Sequence, residues 1–330
     1  MAAANFDQYD LGDNVREDLS DILTMIDPTK TPYISTICSS GSAAQSYYEW
    51  IKDGLGDVDA DNARIDGADA GDDVSNKGDR VGNYAQISDK PIRISGRAEK
   101  ANKAGRKSEM KRQLMKAGLK LKRDMETIAT GNQASVAGDS ANASYTGSLA
   151  AWLETNTNRD ATSGADGGFA DGIVAAATDS SATRALSEAA LLCIVKDCYV
   201  AGGEPSIIMV GPTMKQRFSN YMFGSDSRIA TPYNEGTSTP MTALGAIDLY
   251  VSDFGKLKVV PNRFQRERDV FVLDKSMHQI AYFRKHRTNK LAKTGDADNR
   301  QLLVDWGVKI WDEAANGVVA DIDHTTAMVA

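Results

Sequence analysis

Between Lys103 and Gly131 apolar side chains recur at intervals of three and four: Met110, Leu114, Ala117, Leu121, Met125 and Ile128 form one stripe. That periodicity marks an amphipathic helix packed along one side. No proline interrupts it and Gly131 supplies a stop. The pattern therefore predicts a helix of about 40 Å at roughly 1.5 Å per residue. Its other faces carry Lys103, Arg106, Lys107, Lys111, Arg112, Lys116, Lys120, Lys122 and Arg123, offset before Asp124 by Glu109 alone. Such a run is either a solvated face or a surface for an acidic partner.

Elsewhere the pattern is shorter. Val15, Leu19, Ile22, Leu23 and Ile26 predict a small amphipathic helix, closed by Pro28 and Pro32, which hold the following chain extended. Tyr47–Lys52 reads as a strand, and Tyr84–Ser95 contains a second, with Ile92 and Ile94 alternating against Arg93 and Ser95. The Asp-, Gly- and Ala-rich stretch between them has too few large apolar residues to pack, so a long loop carried on two strands is expected. Residues 134–183 are again small and polar, with Trp152 and Leu153 as anchors. Ser187 caps an expected helix over Glu188–Ala201, Ser206–Val210 reads as a buried strand, and Pro212 opens another helix. Gly224–Met241 is a polar loop. Strands are predicted at Ile247–Val251, Leu257–Val260, Val270–Leu273 and Ile280–Phe283. Another comes where Val304, Trp306, Val308 and Ile310 alternate with Asp305, Gly307 and Lys309. Asn316-Gly317 predicts a hairpin turn. Without a βαβ series, the fold class is α+β.

The 330 residues allow one large domain or several lobes. A net charge of −7 argues against a nucleic-acid binder by overall charge, but the charge is uneven. Acid concentrates before residue 80 and base in the long helix. The opening MAAANFDQYD lacks a basic region and an apolar core, so no secretory signal is expected, and no apolar run reaches the roughly 18 residues of a membrane span. Cys38, Cys193 and Cys198 suggest a reducing compartment, with the latter two as buried, inert thiols on a core helix.

Motifs of chemistry are scarce. Asp57, Asp59 and Asp61 begin like a calcium loop, but Asn62 stands where glycine is needed and Ala68 where the bidentate glutamate belongs. Asp66, Asp69, Asp72 and Asp73 could at most form a weak surface cation site. His278, His286 and His324 lack zinc spacing, and GxSxG, Walker A and GxGxxG motifs are absent. Neither an enzyme, a cofactor nor a metal centre is expected.

Three stretches carry a resemblance: EDLSDILTMIDPTKTPYIS (Glu17–Ser35), KRDMETIATGNQ (Lys122–Gln133) and IAYFRKHRTNKLAKTGDADNRQLLVDWGVKIWDEAANGV (Ile280–Val318). In order, they resemble the major capsid proteins of tailed bacteriophages, in the podovirus-type branch of the Hong Kong 97 fold. The resemblance implies an N-terminal arm (1–45), an extended loop (46–96), a peripheral domain with a spine helix (97–182), an axial domain (183–269) and peripheral β-strands (270–330). It implies hexamers and pentamers of an icosahedral virion shell, assembled in the bacterial cytoplasm around double-stranded DNA. A separate scaffolding protein, a portal protein and in some shells a decoration protein are the implied partners, with no membrane. Acid in one lobe and base in another suit head-to-tail contacts between copies. The candidate inter-subunit residues are Asp57, Asp59, Asp61, Asp72 and Asp73 against Lys107, Lys111, Arg112 and Lys116, with a neighbouring subunit favoured over DNA for the helix. The alternatives are an encapsulin-like nanocompartment shell and, more remotely, a metal-binding or hydrolytic protein.

Overall fold

A computed structural model describes residues 29–55, 58–63, 66–67, 77–101, 108–222, 248–293 and 295–329. The expected helix at Val15–Ile26, the loop at Gly224–Met241 and the residues Asp57, Asp69, Asp72, Asp73, Lys103, Arg106 and Lys107 lie outside the described residues. A π-helical turn, Tyr33–Ile37, leads into β1 (Ser39–Ser42), β2 (Tyr47–Lys52), β3 (Asp79–Tyr84) and β4 (Gln86–Ser95). Helices α1 (Gly96–Lys100), α2 (Glu109–Ala129) and α3 (Leu149–Trp152) follow, then the short strands β5 (Thr157–Asn158), β6 (Gly168–Ala170) and β7 (Ile173–Ala175). Next come α4 (Glu188–Val200), β8 (Ile207–Val210), α5 (Pro212–Met222), β9 (Leu249–Ser252), β10 (Gly255–Pro261) and β11 (Val270–Leu273). The chain closes with β12 (His278–Lys290), β13 (Ala297–Ile310) and β14 (Gly317–Val319).

Two main sheets organise these elements. One has the order β1-β12-β13-β4 and the other β5-β14-β11-β8-β10-β9. The central strands β8 and β11 of the second sheet are buried on both faces because a core forms on each side. Ile207 and Met209 of β8, with Phe271 and Leu273 of β11, join the core shared with α2, α3 and β13. Ile208, Val210, Val270 and Val272 join the core under α4 and α5. This explains why β8 and β11 are continuously apolar rather than alternating.

Helix α2 starts at Glu109, just ahead of the Met110 stripe, rather than at Lys103. Ser108 is extended (φ −134°, ψ 122°), and its hydroxyl accepts from the Lys111 amide at 3.3 Å. A residue that caps cannot also sit inside the helix. Glu99 supplements the cap, accepting from the amides of Glu109 (2.9 Å) and Met110 (3.3 Å). Met110, Ala117, Leu121, Met125 and Ala129 are buried as the stripe requires, and Leu114 and Ile128 are half-buried.

Glu126 sits in the same buried face, fully enclosed. Its Oε1 accepts from the Tyr33 amide at 2.7 Å and from Asn262 Nδ2 at 2.8 Å, and its Oε2 accepts from the Ile34 amide at 2.9 Å. One carboxylate thus caps the Tyr33–Ile37 turn and ties it to α2 and to the chain after β10. Burial raises its pKa, while the three N–H donors favour the charged form. Nearby, His278 is fully buried and joins the two ends of the described chain. Its Nε2 lies 2.9 Å from Asn316 Oδ1, which already accepts from the Asp274 amide, so Nε2 carries the proton. Its Nδ1 is then the acceptor for the Tyr33 hydroxyl at 3.2 Å.

Three expectations change. The partner of β2 is Asp79–Tyr84, not the Tyr84–Ser95 run, which continues as β4 and pairs with β13. Strand β13 is buried on both faces from Leu303 to Val308: Asp305, expected to point to solvent, is 4 % exposed and ion-paired to Arg284 at 3.1 Å. Asn316-Gly317 makes no hairpin. Asn316 is fully buried against His278, and Gly317 opens β14, which pairs with β11 and β5. A Cβ at Gly317 would collide with the Ile194 side chain, so packing rather than turn geometry requires glycine there.

Two outcomes follow for stability. Glu126→Ala strands three buried donors and should cost about 3 kcal/mol or more at roughly 1–3 kcal/mol each, read as the shift of the urea midpoint of unassembled subunits, with Glu126→Gln milder. The second concerns acid. Burial lowers the His278 pKa from 6.5 to about 4. Above pH 6.5 neither the folded nor the unfolded chain is protonated there. Between 6.5 and about 4 only the unfolded chain binds the proton, so each unit of acidification removes up to about 1.4 kcal/mol of stability. The stability advantage of the wild type over His278→Gln should therefore shrink as the pH falls from 7 to 4.

Candidate assembly surfaces

The β2–β3 hairpin has an anchored base and an outward end. Tyr48 and Trp50 alternate inward along β2 while Glu49 and Ile51 face out. The Tyr48 hydroxyl donates to the Val308 carbonyl at 2.8 Å, and it fills the space that a side chain at Gly307 would need. Trp50 donates from Nε1 to the Trp311 carbonyl at 3.3 Å and packs on Trp152, which stacks on Phe169. Lys309 Nζ lies 5.2 Å from the Trp50 ring centroid and 3.4 Å from that of Trp311. Asn83 of β3 is fully buried and satisfied, donating to Thr146, Gly147 and Val308 and accepting from the amides of Tyr84 and Gly147. Beyond this base, Ile51 is 70 %, Val58 96 % and Leu55 essentially fully exposed.

Asp59 and Asp61 are exposed in this outward segment, where Asp59 Oδ1 accepts from the Asp61 amide at 2.9 Å. On α2, Lys111 is exposed, whereas Arg112 is half-buried and ion-paired to Glu109 at 3.0 Å. Lys116 is half-buried on the rim of a groove of about 570 Å³ between α2 and β4, along with Lys90, Ile92, Gln113 and Lys120. Lys90 is engaged by Asp124. Within one chain, no described ion pair joins the aspartates to α2. Asp57, Asp72, Asp73 and Lys107 lie outside the described residues. The groove and the capping carboxylate Glu126 were missed by sequence reasoning. A glutamate inside an apolar stripe at position 126 was the available signal.

The thiols divide differently from expectation. Cys198 is buried and its pKa is pushed up to about 12, chiefly by burial. Cys193 is exposed on α4, its Sγ 3.4 Å from Asp197, because the helix turns that position outward. Its pKa is also raised, by desolvation and by Asp197, which makes it a weaker nucleophile. Among the described residues, no three His, Cys, Asp or Glu converge to hold a metal ion, and no helix is long and apolar enough to cross a membrane.

The same architecture recurs in solved shells. The capsid asymmetric unit of cyanophage A-1(L) superimposes with a TM-score of 0.65 at 13 % identity, covering 96 % of this chain and 99 % of that one. The capsid of a native GTA particle gives 0.62 at 13 % identity, covering 98 % and 100 %. The holo-SrpI encapsulin complex of Synechococcus elongatus PCC 7942 gives 0.59 at 8 % identity, covering 99 % of each chain. The fold is therefore that of Hong Kong 97-type shell proteins. The sequence narrows the class: residues 3–323 match the SU10 major capsid protein family, and the chain belongs to it. The major capsid protein of Escherichia phage Phieco32 is 26 % identical over 329 residues, 90 % of this chain and 91 % of that protein. The chain is a tailed-phage major capsid protein, a structural subunit of the icosahedral shell. The encapsulin likeness is one of fold alone, and the metal-binding reading gives way to the family.

If the aromatic base holds the hairpin, Trp50→Ala should cost about 3–5 kcal/mol of local packing and speed tryptic cleavage at Lys52 and Arg80 at least about tenfold in unassembled subunits.

Proposed function

We propose that this subunit builds hexamers and pentamers in which residues 46–96 lie across the adjacent copy, with residues 1–45 as the arm. Residues 97–182 and 270–330 form the peripheral domain, with α2 as its spine, and residues 183–269 form the axial domain around the local symmetry axes. The shell assembles in the host cytoplasm with a scaffolding protein and a portal protein, and encloses double-stranded DNA. One observation carries this reading: the hairpin is clamped to the body at Tyr48 and Trp50 yet exposes Ile51, Leu55 and Val58. A lone two-stranded ribbon cannot bury such residues, and a neighbouring copy can.

The basic side of α2 meets the neighbour's acidic segment, so that Asp57, Asp59, Asp61, Asp72 and Asp73 face Lys107, Lys111 and Lys116. Arg112 contributes less, since Glu109 already holds it. Each exposed pair contributes only about 0–1 kcal/mol. Repetition around a shell sets register without making a single contact irreversible.

Neutralising Lys111 and Lys116 to Gln should raise the protein concentration needed for assembly several-fold and make it less salt-sensitive, with Arg112→Gln milder. Normal particle yield combined with lost DNA retention would assign the helix to DNA instead. Purified particles should contain DNA and no enzyme cargo.

A further inference from the structure

Two carboxylates are buried where the segment 159–184, the connection between β10 and β11, and the residues after β14 converge, and they are served unequally. Asp321 is fully enclosed, with its backbone in the left-handed region at φ 59°. It accepts from the amides of Ser180 at 3.0 Å and Asp160 at 3.3 Å and from the Arg268 guanidinium. Asp269, directly ahead of β11, is 1 % exposed, and neither of its carboxylate oxygens has a hydrogen-bond donor among the described residues. It has an ion pair with Arg266, Nε to Oδ2 at 3.4 Å. A carboxylate taken out of water stays ionised cheaply only when donors reach its oxygens. Asp321 meets that condition and Asp269 does not.

The surrounding charges balance without Asp269. Arg159 pairs with Asp166 at 2.8 Å, and Arg184 acts on Asp160. Arg266 and Arg268 both reach Asp179, and Arg268 also holds Asp321. Four cations thus stand against four carboxylates, and an ionised Asp269 adds a fifth. Burial outweighs the pull of Arg266, Arg159 and Arg268, with Asp179 adding repulsion, and the Asp269 pKa is raised from 3.8 to about 6. Arg266 is contested: its Nη2 donates to Asp179 Oδ2 while its Nε faces Asp269. A proton on Asp269 removes the competing charge and leaves the guanidinium to Asp179. That aspartate precedes Ser180, which Asp321 pins, and the Arg184 amide and carbonyl bond the Asp321 carbonyl at 3.0 Å and the Asp323 amide at 2.7 Å.

We propose that Asp269 is a proton-operated latch: by taking one proton from solvent it closes the segment 159–184 onto the connection ahead of β11, and by releasing that proton it loosens the junction. The latch is independent of the neighbour contacts proposed above. Its sign is opposite to that of His278. Below pH 3.8 the folded and unfolded chains both hold the proton, between 3.8 and about 6 only the folded chain does, and above that neither does. The stability from this group is therefore complete below 3.8 and lost as the pH rises through about 6, by about a hundredfold in the folding equilibrium constant.

Three measurements test it. Asp269→Asn imitates the protonated acid. In urea titrations of unassembled subunits its folding equilibrium constant should match the wild type within a few-fold at pH 4 and exceed it by up to about a hundredfold at pH 8. A variant weaker than the wild type by the same factor at both pH values means that the carboxylate is ionised and paired throughout, and overturns the proposal. The carboxyl carbon of Asp269, followed by NMR in the wild type, should titrate near pH 6, and Arg266→Gln should move the midpoint upward; this keeps the test open if the Asn variant fails to fold. A midpoint near the ordinary 3.8 overturns the proposal. In assembled particles, the amides of Ser180 and Arg184 should show about tenfold higher hydrogen-exchange protection at pH 5.5 than at pH 7.5, after correction for intrinsic rates, and Asp269→Asn should remove the difference. Equal protection at the two pH values in wild-type particles overturns the latch.

Discussion

A carboxylate buried without a cation is the constraint on which this subunit turns. Glu126 is enclosed by the core and satisfied entirely by N–H donors, two from the backbone of the Tyr33–Ile37 turn and one from Asn262. Removing a charge from water is costly unless every acceptor position finds a donor. The three segments that meet there are therefore not free to drift apart. The turn then directs β1 onto β12, α2 is held against β4, and the chain after β10 is held at the floor of the second sheet. His278 reinforces the junction from the other side, linking Tyr33 to Asn316 through a neutral imidazole.

From that junction the fold projects outward. The body closes two cores around the doubly buried strands β8 and β11 and spends a cluster of tryptophans on gripping the base of a hairpin beyond which Leu55, Val58, Asp59 and Asp61 are exposed. A monomeric protein would cover Leu55 and Val58 with its own chain. Here the opposite charge lies on α2, and among the described residues no ion pair joins it to the aspartates of the hairpin. Complementary surfaces can meet between copies, and a heterologous contact that closes by rotation yields rings. The physics of an incomplete subunit and membership of a capsid family point the same way.

Legibility followed the range of the interaction. The α2 stripe, the Ser187 cap on α4, the buried β8 and the position of β11 were readable because each depends on residues within a few positions of one another. Ser108, directly ahead of Glu109 and the Met110 stripe, carries a cap signal of the same local kind. The partner of β2, the burial of Asp305 and the role of Asn316 were not readable, since each is decided by a strand or side chain far along the chain. Asn316-Gly317 shows the limit most clearly. The dipeptide favours a tight turn, but Ile194 and His278 occupy the space around it and impose a different use.

The sequence by itself determined the helices α2 and α4, the strands β2, β8 and β11, the separation of acid from base and, through its motifs, the kinship with phage capsids. Those properties are written in local periodicity and side-chain chemistry. Only the tertiary structure decided that Glu126 is a capping group, that Cys193 faces outward and that Arg112 is already engaged. Burial, pairing and charge neutralisation are relations between distant residues, and they acquire values only when the chain has closed around them.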